Sequence, residues 1–226
     1  MTDNSSAYNA CVYDQSIINT LPYYTEFFKQ ITDLVEKSGK TDISWLDTGC
    51  GTGTMACNVL SQRKDVAFTL CDPSENMLEE AKAKLSAKTS IDITYINKCS
   101  QELDFTNRFD VITAVQCHHY LQPDEREVAT RKCFEALKDN GIYITFENIR
   151  MSTEESDRIA LDRWTDFIRT NFQDEEKVRK HVARRGTEVH PITIEEHLAL
   201  LRKCGFKSVN LLWTSYLQAG FWAIKN

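Results

Sequence analysis

A short glycine-rich turn between an apolar strand and a helix constrains the fold of this chain more than any other feature. Residues 45–53 have the sequence Trp-Leu-Asp-Thr-Gly-Cys-Gly-Thr-Gly, and an apolar run at 43–46 leads into them. A helical pattern follows over about 54–62. Glycines let a backbone approach a bound molecule closely, and doubly wound sheets hold nucleotides where a strand turns into a helix. The turn therefore predicts a ligand site at the end of the first strand.

Strand-like and helical patterns alternate along the first two thirds of the chain, and two close strands end it. The predicted strands are 43–46, 66–71, 91–96, 109–115, 142–146, 208–213 and 216–224. Alternation predicts a parallel sheet with right-handed crossovers, and the short gap between the last two strands predicts an antiparallel hairpin. The predicted fold is α/β: a Rossmann-like seven-stranded sheet with an antiparallel C-terminal hairpin, helices on both faces and a helical insertion after strand 5.

Length and charge restrict the organisation and the partners. A chain of 226 residues suits one domain, so we expect a single domain over 1–226. It would include an N-terminal helical segment, 1–40, and a helical lid or insertion, 151–189. The formal net charge of −6 argues against a surface built to grip a phosphate backbone. No run approaches the roughly twenty apolar residues that span a bilayer, and no secretory signal is visible at the start, so no membrane partner is expected.

Eight cysteines lie along the chain as singletons, without a C-x-x-C pair. Disulfide frameworks belong to short secreted chains, and zinc ligands usually come in close pairs. We therefore expect a cytoplasmic protein and no metal.

Two aspartates narrow the class of ligand. Asp47 directly precedes the glycines, where a carboxylate suits a neutral or cationic ligand better than a pyrophosphate. Thr54 stands where a dinucleotide fingerprint requires glycine, which disfavours a dehydrogenase. Asp72 ends the second strand about twenty residues beyond the turn, where a carboxylate can accept from both ribose hydroxyls. The alternative interpretation of the glycine turn is a tight turn that happens to be rich in glycine, and that of Asp72 is a solvated turn aspartate.

The sequences DTGCGTG (47–53) and TLCDPSENML (69–78) resemble two successive motifs of class I S-adenosylmethionine (SAM) dependent methyltransferases. The resemblance implies SAM as cofactor, with the methionine part on the glycine turn, the ribose on Asp72 and the adenine near Met77. Ser100 and Gln101 follow the third strand, where that family contacts the adenine edge. The expected cofactor-binding residues are Asp47, Gly49, Gly51, Gly53, Asp72, Pro73, Met77, Ser100, Gln101 and Gln116.

Candidates for the chemistry stand at the ends of the fourth and fifth strands. His118 and His119 follow the fourth strand, and a histidine there can act as general base because its ordinary pKa is about 6.5. Glu147 ends the fifth strand, where it can orient a cationic substrate. Packing and capping are the alternative roles of the histidines.

The insertion carries apolar and basic residues whose roles stay open. Trp164, Phe167 and Phe172 either face a substrate pocket or pack between helices. The basic residues at 177, 179, 180, 184 and 185 are interpreted as a solvated helical face.

The tail, HLALLRKCGFKSVNLLWTSYLQAGFWAIKN (197–226), resembles small methyltransferases related to the bacterial carboxy-SAM synthases. In those synthases an arginine on the last helix is expected to hold the extra carboxylate, and the resemblance aligns Leu200 with it. We therefore predict methyl transfer from ordinary SAM to a small-molecule acceptor. The alternatives are a tRNA nucleoside methyltransferase, a carboxy-SAM synthase and a catalytically silent SAM-binding module. The oligomeric state stays open.

Overall fold

The computed structural model describes residues 6–88, 91–172 and 174–226. They form one seven-stranded sheet in the order β3-β2-β1-β4-β5-β7-β6. Strands β1 to β5 are parallel, and β7 runs antiparallel to both β5 and β6. This arrangement confirms the predicted fold class. The strands are β1 (Ile43–Thr48), β2 (Val66–Cys71), β3 (Thr94–Ile96), β4 (Phe109–Val115), β5 (Leu137–Asn148), β6 (Ser208–Ser215) and β7 (Gln218–Ile224).

Helices cover both faces of the sheet because its strands present apolar side chains on both sides. The α-helices of the described residues are α1 (Tyr13–Ser16), α2 (Tyr24–Lys37), α3 (Thr54–Gln62), α4 (Glu75–Ser86), α5 (Pro123–Ala136), α6 (Glu154–Asn171), α7 (Glu175–Ala183) and α8 (Ile194–Lys203). Helices α2, α3 and α4 contribute Phe27, Val59 and Leu78 to one core. Helices α5 and α8 contribute Cys133 and Leu201 to the other. Two cores on opposite faces are typical of a doubly covered parallel sheet.

Three local predictions are wrong at the level of strand boundaries. The third strand is shorter than 91–96, since only Thr94–Ile96 pairs with β2. The fifth strand extends beyond the predicted 142–146 at both ends, since β5 spans Leu137–Asn148 and the Asn140 amide donates to Lys225 O at 2.7 Å. The hairpin turn is Tyr216–Leu217, with Ser215 opposite Gln218, so Tyr216 does not belong to the last strand.

The N-terminal segment and the insertion pack against each other. The insertion consists of α6 and α7, which share a small core made by Trp164, Ile168, Val178 and the hairpin residue Leu217. The Trp164 indole donates to Thr20 O at 2.8 Å. The first five residues of the predicted segment 1–40 lie outside the described part of the chain. No helix in the described ranges is both long and apolar enough to cross a membrane.

Candidate functional site

The turn after β1 has the backbone that its glycines predict. Gly49 and Gly51 have φ angles of +66° and +52°, in the left-handed region that favours glycine. A Cβ on Gly49 would lie 2.4 Å from the Cβ of Cys117, so no larger residue fits there. A Cβ on Gly51 would meet nothing within 4 Å, which means that its backbone faces open space.

Asp72 joins the turn to the tip of β2. Its Oδ2 accepts the Gly51 amide at 2.8 Å and its Oδ1 accepts the Ser74 amide at 2.9 Å. The carboxylate thereby fixes the glycine turn and the start of α4 together. Asp72 is 7% exposed, and that exposed part lies on a cavity.

This cavity, called the larger cavity below, lies across the carboxyl ends of β1, β2 and β4 and has a volume of about 190 Å³. Its lining combines most of the predicted cofactor-binding residues with residues of the N-terminal segment. It is lined by Ser6, Tyr13, Gly49, Gly51, Asp72, Pro73, Met77, Cys99, Ser100, Gln101, Val115, Gln116, Cys117, His118, Tyr120 and Leu121. All the residues predicted for the cofactor, except Asp47 and Gly53, therefore lie on one cavity.

Asp47 and Gly53 lie behind the cavity lining. Gly53 precedes α3 with φ +72° and packs against Ala81 and Leu85 of α4. The Asp47 carboxylate is 1% exposed and accepts a 2.7 Å hydrogen bond from Thr113. Burial raises the pKa of Asp47, the Thr113 hydrogen bond opposes this, and the charge of Asp72 adds to it, giving a value of about 7.

The part of the larger cavity beside Gln101 and Ser100 offers an open hydrogen-bond acceptor. Gln101 Oε1 is buried and has no hydrogen-bond partner among the described residues. Ser100 is held by a 2.7 Å hydrogen bond with Thr48. A buried acceptor without a partner is costly unless a ligand supplies a donor. The exocyclic amine of an adenine is such a donor, so these residues fit the adenosyl group that the sequence predicts.

His118 lines the larger cavity and is almost fully buried. Its Nδ1 lies 3.2 Å from the Tyr143 hydroxyl, while its Nε2 is buried without a partner among the described residues. Burial lowers the pKa of His118 to about 4, although the nearby Glu147 carboxylate acts in the opposite direction. A histidine with this pKa is neutral near neutral pH, where it is better suited to accept or donate a hydrogen bond than to act as a general base.

His119 and Glu147 form a buried pair that lines neither this cavity nor the smaller one described below. Glu147 Oε2 lies 2.8 Å from His119 Nδ1 and accepts the His119 amide at 2.9 Å. Its Oε1 accepts the Thr145 hydroxyl at 2.7 Å. Burial alone raises the pKa of Glu147, but the hydrogen bond and charge of His119 lower it to about 2. These contacts hold the loop after β4 onto β5.

A smaller cavity of about 40 Å³ adjoins the larger one and lies under the insertion. The two cavities share Ser6, Tyr13, Gln116 and Tyr120. The further lining of the smaller cavity is Ala7, Tyr8, Ile17, Thr20, Leu21, Asn148, Trp164, His181, Arg184, Arg185 and Val189. A molecule in the smaller cavity would thus meet one in the larger cavity at these shared residues.

Two arginines of the smaller cavity correct the interpretation of the basic run as a solvated face. Their side chains are only 13% (Arg184) and 10% (Arg185) exposed, whereas Lys177 and Lys180 on α7 are 70% and 71% exposed. Arg184 pairs with Glu188 at 2.7 Å, and its guanidinium lies 5.7 Å from the Tyr120 ring centre. The prediction of a solvated face is wrong here because the chain after α7 turns back under the insertion.

Arg185 carries a donor without a partner. Its Nη2 donates to Asp157 at 2.9 Å and to Ile149 O at 3.0 Å. Its Nη1 is buried and unpartnered among the described residues. Burial lowers the pKa of Arg185, and the charge of Asp157 opposes this effect. Arg185 therefore combines a place in the lining of the smaller cavity with a buried N–H that has no partner among the described residues.

Of the three aromatic residues of the insertion that were expected either to face a pocket or to pack between helices, one lines a cavity. Trp164 lines the smaller cavity, while Phe167 and Phe172 pack within the insertion. Leu200 of α8 lines neither cavity. Its identity therefore says nothing about which substrate the cavities accept.

Comparison with known proteins agrees with this geometry. A family described as "Methyltransferase domain" matches residues 46–141. The carboxy-S-adenosyl-L-methionine synthase of a Nitratiruptor species is 29% identical over 222 residues, covering 96% of this chain and 90% of that protein. The synthase of Campylobacter jejuni is 27% identical, covering 92% and 88%.

Solved structures show the same fold. A S-adenosylmethionine-dependent methyltransferase from Clostridium acetobutylicum has a TM-score of 0.66 at 15% identity, covering 96% of this chain and 97% of that one. The CurJ carbon methyltransferase has a TM-score of 0.69 at 16% identity, covering 95% of this chain and 58% of that one. The matched domain, these relatives and the fold all support the class I SAM-dependent methyltransferase that the sequence predicts. They indicate an enzyme that uses SAM.

Proposed function

We propose that this enzyme transfers the methyl group of SAM to a small acceptor that combines an anionic oxygen group with an apolar or aromatic body. The observation that carries the proposal is the pair of adjoining cavities, with cofactor-type groups in the larger one and arginines among aromatic rings in the smaller one. The proposal also takes residues 1–226 as one domain whose N-terminal segment and insertion close the acceptor side.

In the proposed complex the larger cavity holds SAM. The glycine turn and Asp47 hold the methionine part, Asp72 and Pro73 hold the ribose, and Met77 with Gln101 hold the adenine. Bound SAM supplies an electrophilic methyl group on a sulfonium, so the chain has to orient a nucleophile, exclude water and, where needed, accept a proton. His118 is the proposed polar contact from the end of β4, with His119 and Glu147 supporting its loop.

The smaller cavity defines the proposed class of acceptor. Tyr8 stacks on His181 with ring centres 6.2 Å apart, and Trp164 meets His181 edge-on at 5.7 Å. These rings suit an apolar or aromatic body. The unpartnered Nη1 of Arg185 suits a carboxylate or a similar oxygen anion, because a buried donor gains most from a charged acceptor.

The synthesis of carboxy-SAM is a second candidate, favoured by the relatives that bear this name along nearly the whole chain. The same Arg185 donor would suit the carboxylate of such a product. The two reactions differ in what happens to SAM. Methyl transfer leaves S-adenosylhomocysteine (SAH), whereas the synthase leaves a SAM that carries an added carboxylate.

Methylation of tRNA is less favoured by the geometry. Two exposed lysines of α7 are paired with acidic neighbours, Lys177 with Asp174 at 3.9 Å and Lys180 with Glu176 at 2.6 Å. The smaller cavity is also enclosed by the N-terminal segment and the insertion. All eight cysteines are free, which supports the proposed cytoplasmic location.

The test is incubation of the enzyme with methyl-labelled SAM and, separately, a metabolite extract or bulk tRNA, followed by mass analysis. We expect the label in small acidic metabolites together with release of SAH. Label in tRNA, or conversion of SAM into a carboxylated form, would overturn the proposed acceptor class. SAM that binds without reacting in any fraction would point to a silent binding module.

Arg185→Gln tests the acceptor side of the same proposal. Losing a charged hydrogen bond to the acceptor should lower kcat/KM by about 10- to 100-fold. The SAH affinity should stay unchanged, because Arg185 does not line the larger cavity. Arg179→Gln, on the exposed side of α7, is the matched control and should behave like the wild type. Equal rates for both variants would remove Arg185 from the acceptor site.

A further inference from the structure

Three buried amides form a closed ring at the place where the two cavities meet. Gln116 Nε2 donates to Gln218 Oε1 at 2.8 Å, and Gln218 Nε2 donates to Asn148 Oδ1 at 2.9 Å. Asn148 Nδ2 donates to Gln116 Oε1 at 3.2 Å and thereby closes the ring. The three residues follow β4, end β5 and begin β7, so the ring ties together three neighbouring strands.

The contacts leave little freedom to the Gln116 side chain. Its second amide hydrogen goes to Phe146 O at 3.2 Å, and its backbone amide donates to the same oxygen at 2.7 Å. Its φ of +56° places a glutamine in the left-handed region, which costs roughly 1 kcal/mol for a residue with a Cβ. A strained backbone that persists is one that surrounding contacts determine.

Gln116 is also where the ring reaches the ligand space. It lines both cavities, and Asn148 lines the smaller one, whereas Gln218 is fully buried and lines neither. Because both amide hydrogens of Gln116 and one lone pair of its Oε1 are already bonded inside the protein, the residue presents a fixed, uncharged wall without a free donor.

We propose that Gln218 is a positioning residue for methyl transfer, acting through Asn148 and Gln116 to fix the wall that the two cavities share. The role of Gln218 in methyl transfer rests on the proposed function, whereas the existence of the amide ring does not. With the ring intact, the Gln116 side chain is fixed in place and has no free amide hydrogen to offer to the acceptor. The transferring methyl group then meets the same surroundings in every turnover, as alignment of an in-line displacement requires.

The test replaces Gln218 by methionine, which keeps the length of the side chain and removes its amide. The probe is SAM with a ¹³C-labelled methyl group, whose bound resonance reports the surroundings of that methyl. We expect Gln218→Met to shift this resonance while the affinity for SAM stays that of the wild type. The slowly exchanging side-chain amide signals of Gln116 and Asn148 should be lost in the ligand-free protein.

Thr214→Val is the matched control, because Thr214 donates to the Gln218 carbonyl at 3.1 Å and does not belong to the ring. It should leave both the methyl resonance and the amide signals in place. Asn148→Leu opens the ring at a second point and should shift the resonance as Gln218→Met does, which covers the case that one variant does not fold.

The outcomes separate the two proposals. An unshifted resonance in folded Gln218→Met, or a shift of equal size in Thr214→Val, would overturn the positioning role. A wild-type protein that binds no SAM would contradict the proposed function, while the amide signals would still decide whether the ring exists in solution.

Discussion

At the scale of single residues, the two aspartates near the cofactor cleft lie in different surroundings. Asp72 accepts two backbone amides, Gly51 and Ser74, which favour its charged form. Asp47 has the Thr113 hydroxyl as its hydrogen-bonded neighbour and is almost fully buried. The two carboxylates therefore differ in their hydrogen bonding, and burial raises the pKa of Asp47 to about 7.

The proposed contact between Asp47 and the ammonium group of the cofactor predicts pH-dependent binding. In the free protein the Asp47 carboxyl is protonated below about pH 7. A cationic ligand requires the charged form, so SAH should bind more tightly as the pH rises towards 7. At pH 6 the affinity should be about tenfold below its plateau, one pKa unit being one factor of ten. Calorimetric titration over pH 5.5–7.5 checks this.

Asp47→Asn is the control for this pH dependence, and its SAH affinity should be weaker and flat over the same range. The raised pKa of Asp47 also makes the stability of the free protein depend on pH, because the folded state binds the proton more tightly than the unfolded state. This stabilisation of the folded state is complete below the ordinary pKa of 3.8 and is lost as the pH rises through about 7. A wild-type affinity for SAH that is constant over this range would contradict the assignment of Asp47.

The sequence alone predicted many of the residues that line the larger cavity, because a glycine turn and an aspartate at a strand end can be recognised from the local sequence. It failed for Arg184 and Arg185, which lie beside acidic residues in a charged stretch that looks solvated. Their burial depends on how the segment after α7 folds back under the insertion, a long-range contact without a local signal. The ring of Gln116, Asn148 and Gln218 depends on strand order in the same way.

At the scale of elements, the N-terminal segment is fastened to two different parts of the molecule. Asp14 of α1 accepts Thr52 at 2.6 Å and Thr54 at 3.0 Å, and it pairs with Lys84 of α4. Thr20 is held by the indole of Trp164. The segment thus bridges the glycine turn and the insertion, and Tyr13 lines both cavities from it.

Asp14→Ala should loosen this bridge and let SAH leave faster. Burial raises the pKa of Asp14, but hydrogen bonds from Lys84, Thr52 and Thr54 lower it overall, so the carboxylate is charged at neutral pH. The loss of these bonds should raise the dissociation rate of SAH about three- to tenfold. Stopped-flow measurement checks this, with Asp33→Ala on the exposed side of α2 as the control. Matching rates in the two variants would show that the bridge does not retain the ligand.

Elements with strong periodicity were predicted well, as the observed bounds of β2 and β4 agree with 66–71 and 109–115. The errors occurred where pairing overrides local preference. Asn140 and Gly141 are typical turn residues, yet they lie within β5 because the chain end at Lys225 pairs beside them. The last strand was predicted to begin at Tyr216, but Tyr216 lies in the hairpin turn because Ser215 pairs with Gln218.

At the scale of the whole molecule, the order of strands determines where ligands can bind. The sheet runs β3-β2-β1 in one direction and β4-β5 in the other, so the crossovers diverge between β1 and β4. Such a point opens a crevice at the carboxyl ends of the strands. The larger cavity lies in this crevice, and the insertion and the N-terminal segment add the smaller cavity beside it.

The central claim is that the larger cavity holds an adenosyl amino acid, and calorimetric titration of the wild type and Asp72→Ala with SAH tests it most directly. The wild type should bind SAH, and the variant should bind it more weakly by about 1–3 kcal/mol. Circular dichroism should show that the variant is folded, since Asp72 also holds Gly51 and Ser74. Failure of the wild type to bind SAH, or unchanged affinity in the folded variant, would contradict the account.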